Sequence, residues 1–168
     1  MAGDIPGMTQ ALGDGADVNV SEALLFAVES AQHEAVDFLL SHGANPNYWL
    51  RWEDSVPFGA VGSPIYQAAK LGDKTLVADL VRHGGNIDGQ DSRQGVEGST
   101  ALIMAALKDE LVAVRTLVEC GANVNRQTSR GETALYLAII QHGKNSDAII
   151  ATLLANGADP DLKTVAGD

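Results

Sequence analysis

The sequence predicts an all-α solenoid: stacked helix–turn–helix units joined by hairpin loops, about four full repeats behind a partial one. Three observations predict it. A five-residue tag recurs five times, as Gly15-Ala16-Asp17-Val18-Asn19, Gly43-Ala44-Asn45-Pro46-Asn47, Gly84-Gly85-Asn86-Ile87-Asp88, Gly121-Ala122-Asn123-Val124-Asn125 and Gly157-Ala158-Asp159-Pro160-Asp161. An apolar motif ending in alanine stands upstream of each later tag: Glu22 to Ala27, Ser63 to Ala68, Thr100 to Ala105 and Thr133 to Ala138. From the first residue of the motif to the tag glycine the distance is 21 residues in three copies and 24 in the fourth. A fixed internal spacing of this kind marks a repeat architecture, in which each unit covers its neighbour's apolar face.

Within a unit the elements follow from local chemistry. Ser63-Pro64 and Thr100-Ala101 place a capping hydroxyl before a first-turn residue, and proline suits that place because its missing N–H has no helical partner there anyway. A short first helix is expected over about Ala101–Lys108. A tight turn follows, with Gly72-Asp73 in one unit and Lys108-Asp109 in another. The second helix, about Leu111–Glu119, carries Leu111, Val114, Leu117 and Val118 at helical spacing. Apolar pairs (Leu39-Leu40, Leu80-Val81, Leu117-Val118, Leu153-Leu154) close the second helices, with the weaker Ala11-Leu12 before the first tag. Gly43, Gly84, Gly121 and Gly157 then read as the left-handed residues that end a helix. Ala27, Ala68, Ala105 and Ala138 sit where the paired helices must approach closely. Helices this short are unstable alone, so stacking must hold them.

These spacings divide the chain into residues 1–20, a partial repeat with a second helix (Met8–Leu12) and tag only; 21–60, the first full repeat, with a long finger insert at 48–60; 61–97, the second, with a loop insert at 89–98; 98–130, the third; and 131–168, the fourth, with a short inter-helix insert and the start of a truncated next unit. Ending in mid-repeat leads us to expect a chain cut from a longer array, or one capped by a partner or by itself. Ile149, Ile150 and Leu153 are expected to face that incomplete neighbour.

The pattern resembles the ankyrin repeat, whose signature is a Thr-Pro-Leu-His-like cap, a helix–turn–helix of about 33 residues and a Gly-Ala-Asp-x-Asn-like hairpin tag. The resemblance covers about residues 8–168. It departs at one position: Leu25, Tyr66, Ile103 and Tyr136 stand where the family carries histidine. The hydrogen bonds such a histidine gives the neighbouring loop are then absent or replaced. The resemblance implies a protein-binding scaffold whose hairpins project as fingers beside a concave groove.

Two irregularities point to the working surface. The longer insert holds Tyr48, Trp49, Arg51, Trp52 and Phe58, including both Trp of the chain. Either its rings fold back over the second and third units as a satellite core, or at least one is an exposed anchor, the residue type that dominates binding hot spots. The shorter insert is polar and glycine-rich and reads as a loop. The groove-facing ends of the first helices would present Glu29, Lys70, Leu107, Lys108, Ile140 and Gln141, with Leu107 and Ile140 as an apolar strip. The plain alternative is that these two are simply packed.

Composition excludes other classes. The chain has 168 residues, 45% hydrophobic, with 11 Lys+Arg against 22 Asp+Glu and a net charge of −11. That sign opposes nucleic-acid backbones and anionic membranes. Residues 1–50 carry seven acids and no Lys or Arg, which either solvates that end or steers a basic partner to it. One cysteine, Cys120, forbids an intrachain disulfide and a cysteine zinc cluster. No apolar run is long enough to span a bilayer and no secretory signal opens the chain, so an intracellular setting is expected, cytoplasmic rather than nuclear. His33, His42, His83 and His142 lie in different units without ligand spacing. His42 and His83 precede tag glycines, where the helix dipole suits them. The sequon at Asn19 is read as a chance match. No catalytic, metal or cofactor site is expected. The expected function is a protein–protein interaction module, with another protein as partner and the uncapped repeat ends open to self-association. The alternative is a spacer or autoinhibitory segment of a longer multidomain protein.

Overall fold

A computed structural model describes residues 5–18, 23–47, 63–90 and 97–166. Among these residues there are nine helices and no strand, as the repeat pattern predicts for an all-α solenoid. The chain divides into two units, Met1–Asn86 and Ile87–Asp168.

The first unit holds α1 (Ile5–Gly13), α2 (Ala23–Glu29), α3 (His33–Ser41), α4 (Pro64–Lys70) and α5 (Lys74–Arg82). The shorter helices α2 and α4 pack together as an inner layer, and α1, α3 and α5 form the outer layer, each against its neighbour. The core between them consists of aliphatic side chains with Tyr66, which is fully buried. α1 begins three residues ahead of the expected Met8. Pro6 falls in its first turn, where the missing N–H costs no hydrogen bond, so the helix accommodates it.

The second unit holds α6 (Ala101–Leu107), α7 (Leu111–Glu119), α8 (Ala134–Gln141) and α9 (Ser146–Ala155). Here α6 and α8 are inner, α7 and α9 outer, and each inner helix packs on its own outer helix. The four small residues between paired helices are all buried, Ala27, Ala68, Ala105 and Ala138.

Caps and turns account for the boundaries. The hydroxyls of Ser63, Thr100 and Thr133 accept from the backbone N–H of Tyr66, Ile103 and Tyr136 at 3.3, 3.3 and 3.1 Å. Each outer helix ends in a tag glycine at φ 85 to 91°. The next N–H then closes on a carbonyl five residues back, as in Ala122 to Leu117 at 3.0 Å and Ala158 to Leu153 at 3.0 Å. Between paired helices a left-handed residue recurs nine positions after each motif start: Ala31, Gly72, Asp109 and His142, at φ 50, 73, 59 and 48°. Only one of the four is glycine.

The fourth repeat absorbs its three extra residues in two places. Gly143 and Lys144 lengthen the turn between His142 and the cap residue Asn145, and α9 has 10 residues where α7 has 9. The lengthened turn is pinned by Asp109. Its carboxylate accepts from the Asn145 N–H at 3.0 and 3.1 Å, and its carbonyl accepts from Asn145 Nδ2 at 2.8 Å.

The expectation for the last repeat needs correction. Ile149 and Leu153 are fully buried, because they turn inward to the α8–α9 contact. Ile150 is half-buried, and the residues left open on that side are Tyr136, half-buried, and Ile139, 49% exposed.

Candidate functional site

The tags that end the repeats also join them. In the first unit Asn47 Oδ1 accepts from the Asn86 N–H at 2.7 Å while its Nδ2 donates to the Gly84 carbonyl at 2.9 Å. In the second unit Asn125 does the same, accepting from the Asp159 N–H at 2.8 Å and donating to the Gly157 carbonyl at 3.0 Å. Asp88 accepts from the Asn123 N–H at 2.9 Å. The last residue of each of these tags is therefore a staple to the next tag.

Two glutamines extend the stapling to the hairpin turns. Gln127 Nε2 donates to the Gly131 carbonyl at 2.7 Å and to the Lys163 carbonyl at 3.1 Å. Gln90 Nε2 donates to the carbonyls of Gly98 and Gln127, each at 3.1 Å. Backbone bonds run alongside, Ser129 N–H to Glu97 carbonyl at 2.9 Å and Val165 N–H to Arg130 carbonyl at 2.8 Å. At the position where the family carries histidine, Leu25, Tyr66 and Ile103 are buried in the core. The hairpins are tied by glutamine instead. Gln90 and Gln127 each stand six residues after a tag glycine, a signal the sequence held.

On this frame the expected groove residues fall at the ends of the inner helices. In the first unit Glu29 is half-buried at the end of α2, and Lys70 is exposed at the end of α4. Lys70 Nζ lies 5.7 Å from the centre of the Tyr66 ring, within cation–π range. In the second unit Leu107 is half-buried, Ile140 is 49% exposed, and Lys108 and Gln141 are exposed. Gln141 Nε2 donates to the Leu107 carbonyl at 2.6 Å, satisfying one of the helix-end acceptors of α6 from the neighbouring inner helix. Of the apolar strip, then, Ile140 faces solvent and Leu107 is partly packed. Leu107 and Leu137 floor a cavity of ≈ 160 Å³ whose rim includes Glu97, Arg130 and Glu132. Those three hairpin residues were not singled out from the sequence; they stand one to three residues before a helix-capping threonine, in register.

Tyr48, Trp49, Arg51, Trp52 and Phe58 lie outside the described residues, as does the sequon at Asn19. His42 and His83 cap their helices: each Nδ1 donates to a carbonyl one turn back, Phe38 at 2.7 Å and Asp79 at 3.0 Å. His33 Nε2 meets the Asp73 carboxylate at 2.9 Å, joining the start of α3 to the cap of α5. Among the described residues no group of three or more His, Cys, Asp or Glu side chains could hold a metal ion, and no helix is long and apolar enough to cross a membrane.

Comparison with known proteins agrees with this frame. A family model described as three copies of the ankyrin repeat matches residues 65–164, and a single-repeat model matches residues 23–49. Ankyrin repeat and SOCS box protein 6 of Pongo abelii is 33% identical over 157 residues, which cover 89% of this chain and 34% of that protein. The nuclear factor NF-kappa-B p105 subunit of Gallus gallus is 33% identical over 145 residues, 86% of this chain and 14% of that protein. An L-asparaginase of Dirofilaria immitis is 27% identical over 86% of this chain and 22% of its own length. The chain thus spans about a third, or less, of the length of these relatives. Ankyrin repeats bind other proteins and generally serve as non-enzymatic scaffolds. Tag, cap, paired short helices and sequence likeness converge, and this chain belongs to the ankyrin-repeat family.

Proposed function

We propose that the chain recognises another protein through the inner-helix ends and hairpins of its second unit, together with the finger at 48–60. The observation that carries the reading is Ile140, a large aliphatic side chain left 49% exposed beside half-buried Leu107. Leu107 also lines a cavity rimmed by charges of both signs. An apolar anchor point with a polar rim is the anatomy of a protein-binding surface. Trp49 and Trp52 would add aromatic anchors, and Glu29 and Lys70 would contribute the corresponding positions of the first unit. The acidic first 50 residues would speed encounter with a basic partner. A cytoplasmic setting belongs to the same proposal, as does self-association through the ends of the repeat stack. No catalytic step is part of it.

The test is quantitative capture followed by titration of the purified partner. Ile140→Asp, and separately Trp49→Ala with Trp52→Ala, should each weaken binding about tenfold or more, the loss expected when a hot-spot anchor is removed. Unchanged affinity in all of these variants would end the reading. The alternative, a spacer or autoinhibitory segment, is favoured by the share of the relatives' length that the chain spans, about a third or less. It predicts that cross-links from Ile140 run to the rest of the same polypeptide and to no separate protein.

A further inference from the structure

We infer that Asn156 is a site of spontaneous deamidation, held unreactive by the cap that closes α9 and released when that cap opens. Of the chain's asparagines only Asn156 precedes glycine. In this reaction the backbone nitrogen of the following residue must reach the carbonyl carbon of the asparagine side chain, and glycine alone has no side chain to block the approach. Both residues are exposed, and nothing stands within 4 Å of the place a Gly157 Cβ would take, so water reaches the pair. The position is a capping one. The residue ahead of the tag glycine is His42, His83, Cys120 and Asn156 in the successive full repeats. His42 and His83 each donate to a carbonyl one turn back, and Asn156 Nδ2 does the same to the Thr152 carbonyl at 2.8 Å. Asparagine therefore supplies the cap that histidine supplies elsewhere, with a side chain that can be consumed.

The folded cap keeps the reacting atoms apart. At ψ 21° the Gly157 nitrogen lies on the far side of the Asn156 Cα–C bond from Cβ. Its N–H is held by the Leu154 carbonyl at 3.1 Å, beside the Ala158 N–H on the Leu153 carbonyl at 3.0 Å. Ring closure therefore requires the side-chain bond to Thr152 and the backbone bond to Leu154 to break together. The Gly157 nitrogen then gives its proton to solvent base and attacks Asn156 Cγ. The new N–C bond closes a cyclic imide while the Cγ–Nδ2 bond breaks, and ammonia leaves with a proton taken from water. Water opens the ring at either carbonyl. Opening at Cγ leaves aspartate; opening at the backbone carbonyl leaves isoaspartate, whose main chain runs through Cβ and Cγ. Neither product can remake the latch. The carboxylate has lost the donor to Thr152 and sets a negative charge at a helix C-terminus, where it is disfavoured. Isoaspartate lengthens the main chain between α9 and its tag, which misplaces the Gly157 and Ala158 N–H groups. A transient opening is thus converted into a lasting release of the tag that Asn125 otherwise holds through the Asp159 N–H.

Timed incubation of the full chain at mildly alkaline pH, followed by peptide mapping, tests the proposal, with enzymatic methylation of isoaspartate as a second readout. Product at position 156 should form about tenfold or more faster in urea above the unfolding midpoint than in the folded chain, since a reaction confined to the open cap follows the population of that state. Asn156→His, which keeps a capping side chain, should stay folded by circular dichroism and form no comparable product elsewhere. The urea comparison does not depend on that variant and keeps the test decisive if it fails to fold. The modified chain, separated by its extra charge and returned to native conditions, should exchange the Gly157 and Ala158 amides about tenfold or more faster than the parent. Equal rates in the folded and unfolded chain mean that the cap does not guard the site, and overturn the proposal. An unfolded chain that modifies another asparagine ahead of Asn156, or none at all, overturns it too. Unchanged amide protection in the modified chain means that the latch re-forms, and overturns it as well.

Discussion

Asp109 and Asn145, from turns 36 residues apart, hold each other through both side chain and backbone. The Asp109 carboxylate takes the Asn145 N–H, and the Asn145 amide returns a bond to the Asp109 carbonyl. This exchange lets the fourth repeat carry a longer inter-helix turn than its neighbours without losing register. A double-mutant cycle of Asp109→Ala and Asn145→Ala, read by urea unfolding, should show a coupling of about 1–2 kcal/mol, since the hydrogen bonds are shared and one acceptor is ionised. A Cβ on Gly143 would overlap the Asp109 carboxyl. Gly143→Ala should therefore destabilise the native chain and cost much less in the Asp109→Ala background.

How much of this was legible in the sequence depends on the range of the interaction. Ser63, Thr100 and Thr133 declare their helices because a capping hydroxyl acts on an N–H three residues away. The tag glycines declare helix ends because their backbone conformation is open chiefly to glycine. Asp109 falls in an expected tight turn, but the left-handed conformation it shares with Ala31 and His142 was hidden, because context rather than glycine holds all three there. Ile149 and Leu153 were assigned to the wrong side because helical spacing shows that a face is apolar, not which neighbour it meets. The groove positions Leu107 and Ile140 could be located by counting, but only packing shows that one is partly covered and the other open. Gln90 and Gln127 act across more than 30 residues, so their role emerges only when their common register with the tags is noticed.

Gln127 should be worth more than an ordinary loop glutamine. Its amide donates to two carbonyls on successive hairpins, and loss of both contacts in Gln127→Ala should cost about 1–2 kcal/mol at about 0.5–1.5 kcal/mol per bond. Gln127→Glu keeps the size but turns an acceptor toward two acceptors. It should be worse than Gln127→Ala in urea unfolding at neutral pH, an order that a purely steric role would reverse.

Ala31 offers the opposite sign. It is exposed and held at φ 50°, where an L residue costs about 1–2 kcal/mol and glycine costs little. Glycine also loses more chain entropy on folding, by about 0.5–1 kcal/mol, which offsets part of the gain. Ala31→Gly should therefore raise stability by a few tenths to about 1 kcal/mol. Gly72→Ala, at the same register with φ 73°, should lower it by a similar amount. The two urea midpoints moving in the same direction would show that backbone strain is not what distinguishes these turns.

The tag staple can be dissected atom by atom at Asn125, because its two bonds have different chemistry. Oδ1 accepts from the Asp159 N–H and Nδ2 donates to the Gly157 carbonyl. Asn125→Asp keeps the acceptor and removes the donor, leaving the arrangement that Asp88 already uses toward Asn123. Asn125→Ala removes both. Unfolding should therefore rank wild type above Asn125→Asp above Asn125→Ala, with about 1 kcal/mol between successive members. Amide hydrogen exchange separates the two bonds within the folded state. The Asp159 N–H should stay protected in Asn125→Asp and exchange faster in Asn125→Ala. Equal protection in the two variants would mean that packing of the final tag, rather than the side-chain acceptor of Asn125, keeps that amide from water.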